Sequence, residues 1–391
     1  MKKRILLWII PLAVLVVAAA IVVGILLLSN RMPTVDNEYL YSLEGTWDGA
    51  RDFSENRAAV KKDGKWGYID INGNVIVEPQ YDAAYSFSEG LAAVQNGGKW
   101  GYVDRKGQLV IPFTLDSAAA FSNGLAVFSE GYYYGYINPK GEKVIPAAYD
   151  EASSFKDGVA CVKKGNRYGF IDKTGTAITQ FIYGGNASPS EGLIPVFYGD
   201  STKGINTGYI DFTGRQILPF SWYDAKPFSE GLAAACKEYT TPYGYIDNTG
   251  AYVIEPAWDG AEDFSCGCAV VEKDRLYTYI NKSGERITEK TYQKAYSFTM
   301  SEVARVGIPN GSEWSFGYID TTGKEIIAPQ YPDARDFQIG FAAVSNGKKW
   351  GFINREGTAI SGMKWTDVGD FTEDGIALVK SGDTYGFIKL K

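Results

Sequence analysis

The sequence predicts an all-β repeat protein: ten tandem antiparallel β-meander units of 34–39 residues, preceded by one transmembrane helix. Three observations carry this. An aromatic-Gly-aromatic mark recurs from residue 66 to the C-terminus, apolar positions alternate with period two around each mark, and an uncharged run of 26 residues lies near the N-terminus.

The uncharged run comes first along the chain. Lys2, Lys3 and Arg4 precede Ile5 to Asn30, and Arg31 closes the stretch. As a helix, 26 residues extend ~39 Å, enough to cross a hydrocarbon core of about 30 Å. A secretory leader has an apolar stretch of only about 7–15 residues, so an uncleaved anchor is the expectation, with Ala18-Ala19-Ala20 the alternative cleavage context. Three cations before the helix against one after it keep the N-terminus cytoplasmic and put the rest of the chain outside. The expected domains are therefore 1–31, a cytoplasmic stub and anchor inserted in the membrane through residues 5–30, and 32–391, an extracytoplasmic β domain in the cell membrane's outer space.

The chain carries 39 basic and 46 acidic residues. Four of the basic ones lie within residues 1–31, which leaves 35 against 46 beyond them, a net of −11. A nucleic-acid partner is disfavoured by that sign. The absence of any His removes Ser-His-Asp triads and most metal-ligand sets.

The repeat marks follow in order: Trp66-Gly67-Tyr68, Trp100-Gly101-Tyr102, Tyr134-Gly135-Tyr136, Tyr168-Gly169-Phe170, Thr207-Gly208-Tyr209, Tyr243-Gly244-Tyr245, Tyr277-Thr278-Tyr279, Phe316-Gly317-Tyr318, Trp350-Gly351-Phe352 and Tyr385-Gly386-Phe387. They are spaced 34, 34, 34, 39, 36, 34, 39, 34 and 35 positions apart. Each unit reads as four short extended segments divided by turn residues, as in Tyr81 to Phe87, Leu91 to Gln95, Trp100 to Asp104 and Gln108 to Ile111, the last stopped by Pro112. In the third segment the two aromatics share one face, and the Gly between them admits a neighbouring backbone or ring on the other. An Asp or Asn three positions before a Gly, as in Asp104…Gly107, has the chemistry of a tight turn.

These residues resemble the bacterial WG (KWG) repeat family over residues 41–391. The resemblance implies a β-rich repeat protein, often secreted or membrane-anchored, used for binding, and it brings no catalytic residues. The chain ends on a third strand, Tyr385 to Lys389, while Tyr39 to Leu43 reads as a strand before the first repeat. That stretch can supply the missing strand and close a propeller-like toroid. Ten blades lie outside the usual range of about 4–8, and an open superhelix remains the alternative.

Candidate chemistry is sparse. Cys161, Cys236, Cys266 and Cys268 fall mostly at small apolar positions and are expected as free thiols, with a Cys236–Cys268 disulfide as the alternative. No metal site or cofactor is expected, because one Asp per turn cannot supply the 6–8 oxygens calcium takes. Three copies carry longer loops between second and third strands: copies five, six and eight. Loop departures on a shared face are a usual place for binding. A binding rim of Tyr198, Asp200, Lys203, Tyr239, Glu313 and Trp314 follows, against the alternative of harmless loop drift. The functional expectation is a membrane-anchored, non-catalytic module that recognises a protein or cell-envelope polysaccharide. A carbohydrate-active enzyme using rim carboxylates and a passive spacer are the alternatives.

Overall fold

The computed structural model describes residues 32–200 and 204–391. The expected membrane helix and the 1–31 segment lie outside the described residues; among the described residues no helix is long and apolar enough to cross a membrane. The described chain forms ten antiparallel sheets, six with four strands and four with three. They are the blades of a propeller.

Blade two shows the plan. Its strands are Ala83–Ala84, Leu91–Asn96, Lys99–Asp104 and Leu109–Leu115, hydrogen-bonded in chain order. One residue, Asp116, separates its fourth strand from the first strand of blade three, Ser117–Ala118. First strands of adjacent blades lie side by side at the inner edge. There the Arg51 side chain donates to the Ala84 carbonyl (2.9 Å) and the Ser54 hydroxyl to the Phe87 carbonyl (2.8 Å). Fourth strands form the outer edge, where Leu109 and Val110 are exposed.

The turns have the geometry their residues demand. Ser88 and Leu91 bridge across Glu89 and Gly90, whose φ values are 53° and 84°. Two consecutive positive φ angles make this a type I′ hairpin, whose twist matches that of the flanking strands. At the next turn, the Asp70 carboxylate accepts the Asn72 and Asn74 amides at 2.9 Å each, and the Gly73 amide donates to the Asp70 carbonyl. The turn Asp is thus consumed by backbone donors.

The mark glycine exists because of the fourth strand. Trp100 pairs with Leu115 and Tyr102 with Ile111, so two residues advance against four and the outer strand bulges. The bulge presses onto Gly101, where a Cβ would meet the Ile111 carbonyl oxygen at 2.5 Å. Pro112 does not stop this strand, contrary to the sequence expectation; it sits within Leu109–Leu115. A proline fits there because the outer edge needs no amide donor and the ring presets the bulge dihedral. Three blades whose fourth segments lack proline, at residues 177–183, 286–292 and 359–365, keep only isolated bridges such as Tyr168–Tyr183, whereas blade ten forms its fourth strand, Leu40–Ser42, without one. The uniform four-stranded unit is corrected to that extent, and in blade five, whose sheet of Leu193–Asp200, Gly204–Asp211 and Gln216–Trp222 has no first strand. The first strand is also shorter than Tyr81 to Phe87: it is Ala83–Ala84, and Tyr81 ends the previous blade.

Packing between blades holds the ring. Tyr102 is fully buried, its ring 5.0 Å from Phe121 of the next blade, and its hydroxyl donates to the Ala119 carbonyl at 2.7 Å. Equivalent joints recur at Tyr68, Tyr136, Tyr209, Tyr245, Tyr279 and Tyr318, each hydroxyl reaching a carbonyl 17 residues on. The Ser-Glu-Gly turn adds staples: Ser88 donates to the Phe121 carbonyl, and the Gly124 amide to the Glu89 carboxylate.

The ring closes. Leu40–Ser42 pairs with Thr384–Leu390, and Trp47 bridges Tyr385 as Leu115 pairs with Trp100 in blade two. One apolar cluster joins Leu43, Trp47, Phe53 and Val60 to Ile376 and Phe387, across the two ends of the chain. An open superhelix would leave that joint unmade. Closure through the N-terminal strand is thus the structure's answer to the alternative left by the sequence, and it removes both end edges.

Candidate functional site

The two faces of the ring differ in what their loops carry. Turns after the first and third strands share one face, since Arg105 pairs with Glu55 of the preceding blade at 2.7 Å and Lys282 with Glu230 at 3.1 Å. Hairpins between second and third strands share the other, tied to the blade junctions by bonds such as that from the Gly97 amide to the Asp82 carboxylate.

The three long hairpins lie on this second face, as their spacing implied. In blade five, Leu193–Asp200 pairs with Gly204–Asp211 out to Asp200 opposite Gly204. Tyr198 is half-exposed, with its ring 6.2 Å from Phe220. In blade six Tyr239 is 78% exposed and meets Tyr223 edge-on at 5.4 Å. In blade eight the hairpin reaches Asn310 opposite Glu313, and the Lys294 ammonium lies 4.0 Å from the centre of the Trp314 ring. Lys203 lies outside the described residues. The five described residues therefore share a face but are spread over three blades, each aromatic with its own local partner.

All four cysteines are free, which discards the Cys236–Cys268 disulfide alternative. Burial pushes the Cys161 and Cys268 thiols up to about 11, so they stay protonated at neutral pH.

The inner wall holds what sequence reading missed. The position before the buried Phe of the first-strand segments lies at the inner edge and is partly or fully exposed: Asp52, Ser86, Ala120, Ser154, Asp263, Ser297, Asp336 and Asp370 among them. Carboxylates thus concentrate on blades nine, ten and one, with Asp263 on blade seven. Burial raises the carboxyls of Asp52 and Asp370, and the guanidinium of Arg335 opposes both shifts. For Asp370 the neighbouring Asp336 and Asp52 add to the rise. Asp52 is exposed to solvent but crowded by the adjoining blade, with its Oδ1 2.9 Å from where a Gly369 Cβ would stand.

Arg305 is the second feature missed. At the third position of the second strand the other copies carry Ala59, Ala93, Val127, Cys161, Pro195, Ala234, Val270, Ala343 and Leu378. A cation at a small apolar position was the available signal. Its guanidinium pairs with Asp336 at 3.0 Å, donates to the Ala334 carbonyl and lies 3.8 Å from the centre of the Tyr296 ring.

Two clefts of similar size flank these features. One, of about 530 Å³, lies at the closing blade and is walled by the chain's own Met32–Asp36 segment. The other, of about 550 Å³, opens between blades seven and eight and is lined by Glu262, Tyr277, Gln293, Lys294, Tyr296 and Ser297, with Val270 and Ala295 at its floor. No set of three or more metal-ligating side chains converges among the described residues.

A sequence profile described as "WG containing repeat" matches ten times, at residues 43–66, 66–100, 100–134, 134–168, 168–200, 208–240, 243–277, 277–308, 316–350 and 350–385. No curated protein matches the chain. Among solved structures it is similar to Hsv2 of Kluyveromyces marxianus, 12% identical over 58% of this chain and 88% of that one, TM-score 0.33. It is also similar to PorZ, a bacterial surface component of the type-IX secretion system of Porphyromonas gingivalis, 10% identical over 88% of this chain and 57% of that one, TM-score 0.27. A third is the extracellular domain of a hybrid two-component system of B. thetaiotaomicron, 11% identical over 86% of this chain and 55% of that one, TM-score 0.25.

Proposed function

The chain belongs to the WG-containing repeat family, and from that premise we propose that it is a membrane-tethered, extracytoplasmic binding module without catalysis. The tether is the 26-residue apolar run behind Lys2, Lys3 and Arg4, and the domain outside it recognises a protein or an envelope polysaccharide. One observation carries the binding reading. The recurrent letters are used up by turns, blade joints and bulges, whereas the departures in blades five, six and eight extend one face only. A ring held at every joint is a rigid support on which such loops are a usual place for binding.

The test uses the full chain in detergent, with envelope extract and a glycan panel. Retention that drops in the Tyr239→Ala, Trp314→Ala double variant supports the module. Equal retention by that variant removes the rim, absence of any retention supports a spacer, and turnover of a glycan supports an enzyme.

A further inference from the structure

We propose that the cleft between blades seven and eight is a saccharide site in which a pyranose ring packs on Tyr277 and Tyr296. This rests on the binding reading above and names the chemical class of its ligand.

Tyr296 is a fixed platform. Its carbonyl accepts the buried Tyr279 hydroxyl at 2.8 Å, and its amide donates to the Arg305 carbonyl at 3.1 Å. The Arg305 guanidinium covers one face of its ring at 3.8 Å and is itself held by Asp336, so that face cannot accept a ligand. Tyr296 stays partly exposed and lines the cleft together with the partly exposed Tyr277 of blade seven. Ala295, at the innermost-strand position that is buried at Ala84, Ala225, Ala261 and Ala334 and partly covered at Ala50 and Ala152, is partly covered and lines the cleft.

The rim of the cleft has the hydrogen-bonding groups a sugar edge needs. Glu262, held by Lys226 at 2.8 Å, has a second carboxylate oxygen to accept, Lys294 donates, and the Gln293 amide does both. Aromatic faces beside a small set of such groups, in a volume of about 550 Å³, suit a ligand with one apolar face and a hydroxyl edge. Lys294 continues over Trp314, so a chain of several sugar units would run from the cleft toward the long hairpin of blade eight.

Calorimetric titration of the full chain with chitotetraose and cellotetraose tests the site. Binding of either is expected. Tyr296→Ala and Tyr277→Leu should each weaken it roughly tenfold or more, Gln293→Ala a few-fold, and Tyr296→Phe hardly at all, because it keeps the ring face. Gln293 is exposed, so its variant folds even where a tyrosine variant does not. Failure of a folded chain to bind either oligosaccharide, or affinity left unchanged from the parent chain in both Tyr277→Leu and Gln293→Ala, overturns the site. If envelope material is still retained through Tyr239 and Trp314 in that case, the saccharide site falls while the binding module stands.

Discussion

Blades one to three and blades seven to nine are built from the same unit and have diverged in different places. The first arc keeps a constant spacing of 34 residues, three complete fourth strands and small apolar residues at Ala59, Ala93 and Val127. The second arc has Thr278 for the mark glycine, loses two fourth strands, lengthens the blade-eight hairpin and puts Arg305 where the first arc has alanine or valine. Yet both arcs keep the ring contact of the blade joint: Tyr279–Phe298 and Tyr318–Phe337 lie at 5.3 and 4.7 Å and Phe352–Phe371 at 4.8 Å, as Tyr68–Phe87 and Tyr102–Phe121 lie at 4.9 and 5.0 Å. The contacts between blades are what the fold cannot spare. The outer edge, the hairpins of one face and the channel wall can change.

The largest expected effect separates a complete blade from the closing one. Gly101→Ala drives a Cβ into the Ile111 carbonyl and should cost about 3 kcal/mol in urea unfolding. Gly386→Ala in blade ten meets only the flexible Met32 side chain at 3.4 Å and should cost less than about 1 kcal/mol. Equal costs would mean that the bulged strand is not what the glycine accommodates.

Closure is the next point of attack. Leu40 is fully buried in the strand that completes blade ten, and Leu40→Ala should remove about 2–4 kcal/mol. Hydrogen exchange should then quicken first along Thr384–Leu390 and leave Lys99–Asp104 protected. Uniform loss of protection would contradict a joint that opens at its seam.

A smaller effect tests the shared joint. Tyr102→Phe and Tyr318→Phe each delete one buried hydroxyl bond to a carbonyl, at 2.7 and 2.6 Å, and should each cost about 1 kcal/mol. A cost confined to one arc would show that the joints are not equivalent.

The smallest effect is a pH dependence found only where the channel is acidic. The Asp52 and Asp370 carboxyls are raised by burial, so the fold favours their protonated forms more than the unfolded chain does. Their contribution is fully present below the ordinary carboxylate range near 4 and is lost as pH rises through their folded values. Asp370→Asn should therefore flatten the fall in thermal midpoint between pH 4 and pH 7. The turn carboxylates run the other way. The Thr249 hydroxyl, then backbone amides, hold Asp247 below its usual range, so what it adds is lost as pH falls. In blade two the channel position is Ser86, and Ser86→Asn should leave the profile as it was. An unchanged slope in Asp370→Asn would remove the channel carboxylates from the account.

Much of the fold was legible because its signals are local. The Asp104…Gly107 turn, the alternation in Leu91–Asn96 and the backbone pressed against Gly101 each follow from residues within one unit. Pro112 misled because proline reads as a stop unless the strand is known to be an outermost edge. Tyr102 reads as a core aromatic, but its partner Phe121 belongs to another blade, so the joint stayed hidden. Of the candidate site, the sequence located the long hairpins and their common face. It did not find Arg305, whose meaning depends on Tyr296 and Asp336 arriving from two other strands.

By itself the amino-acid order determined the number of units, their strand and turn chemistry and the family to which the chain belongs. Period-two patterning and positive-φ turn residues act over a few positions, and repetition makes them unmistakable. Only the tertiary structure decided that the array closes, with Leu40–Ser42 completing a sheet whose other strands lie more than 300 residues away. Closure depends on the angle accumulated over ten packed joints. No single unit encodes that sum, and the channel wall and the cleft between blades seven and eight exist only once it is complete.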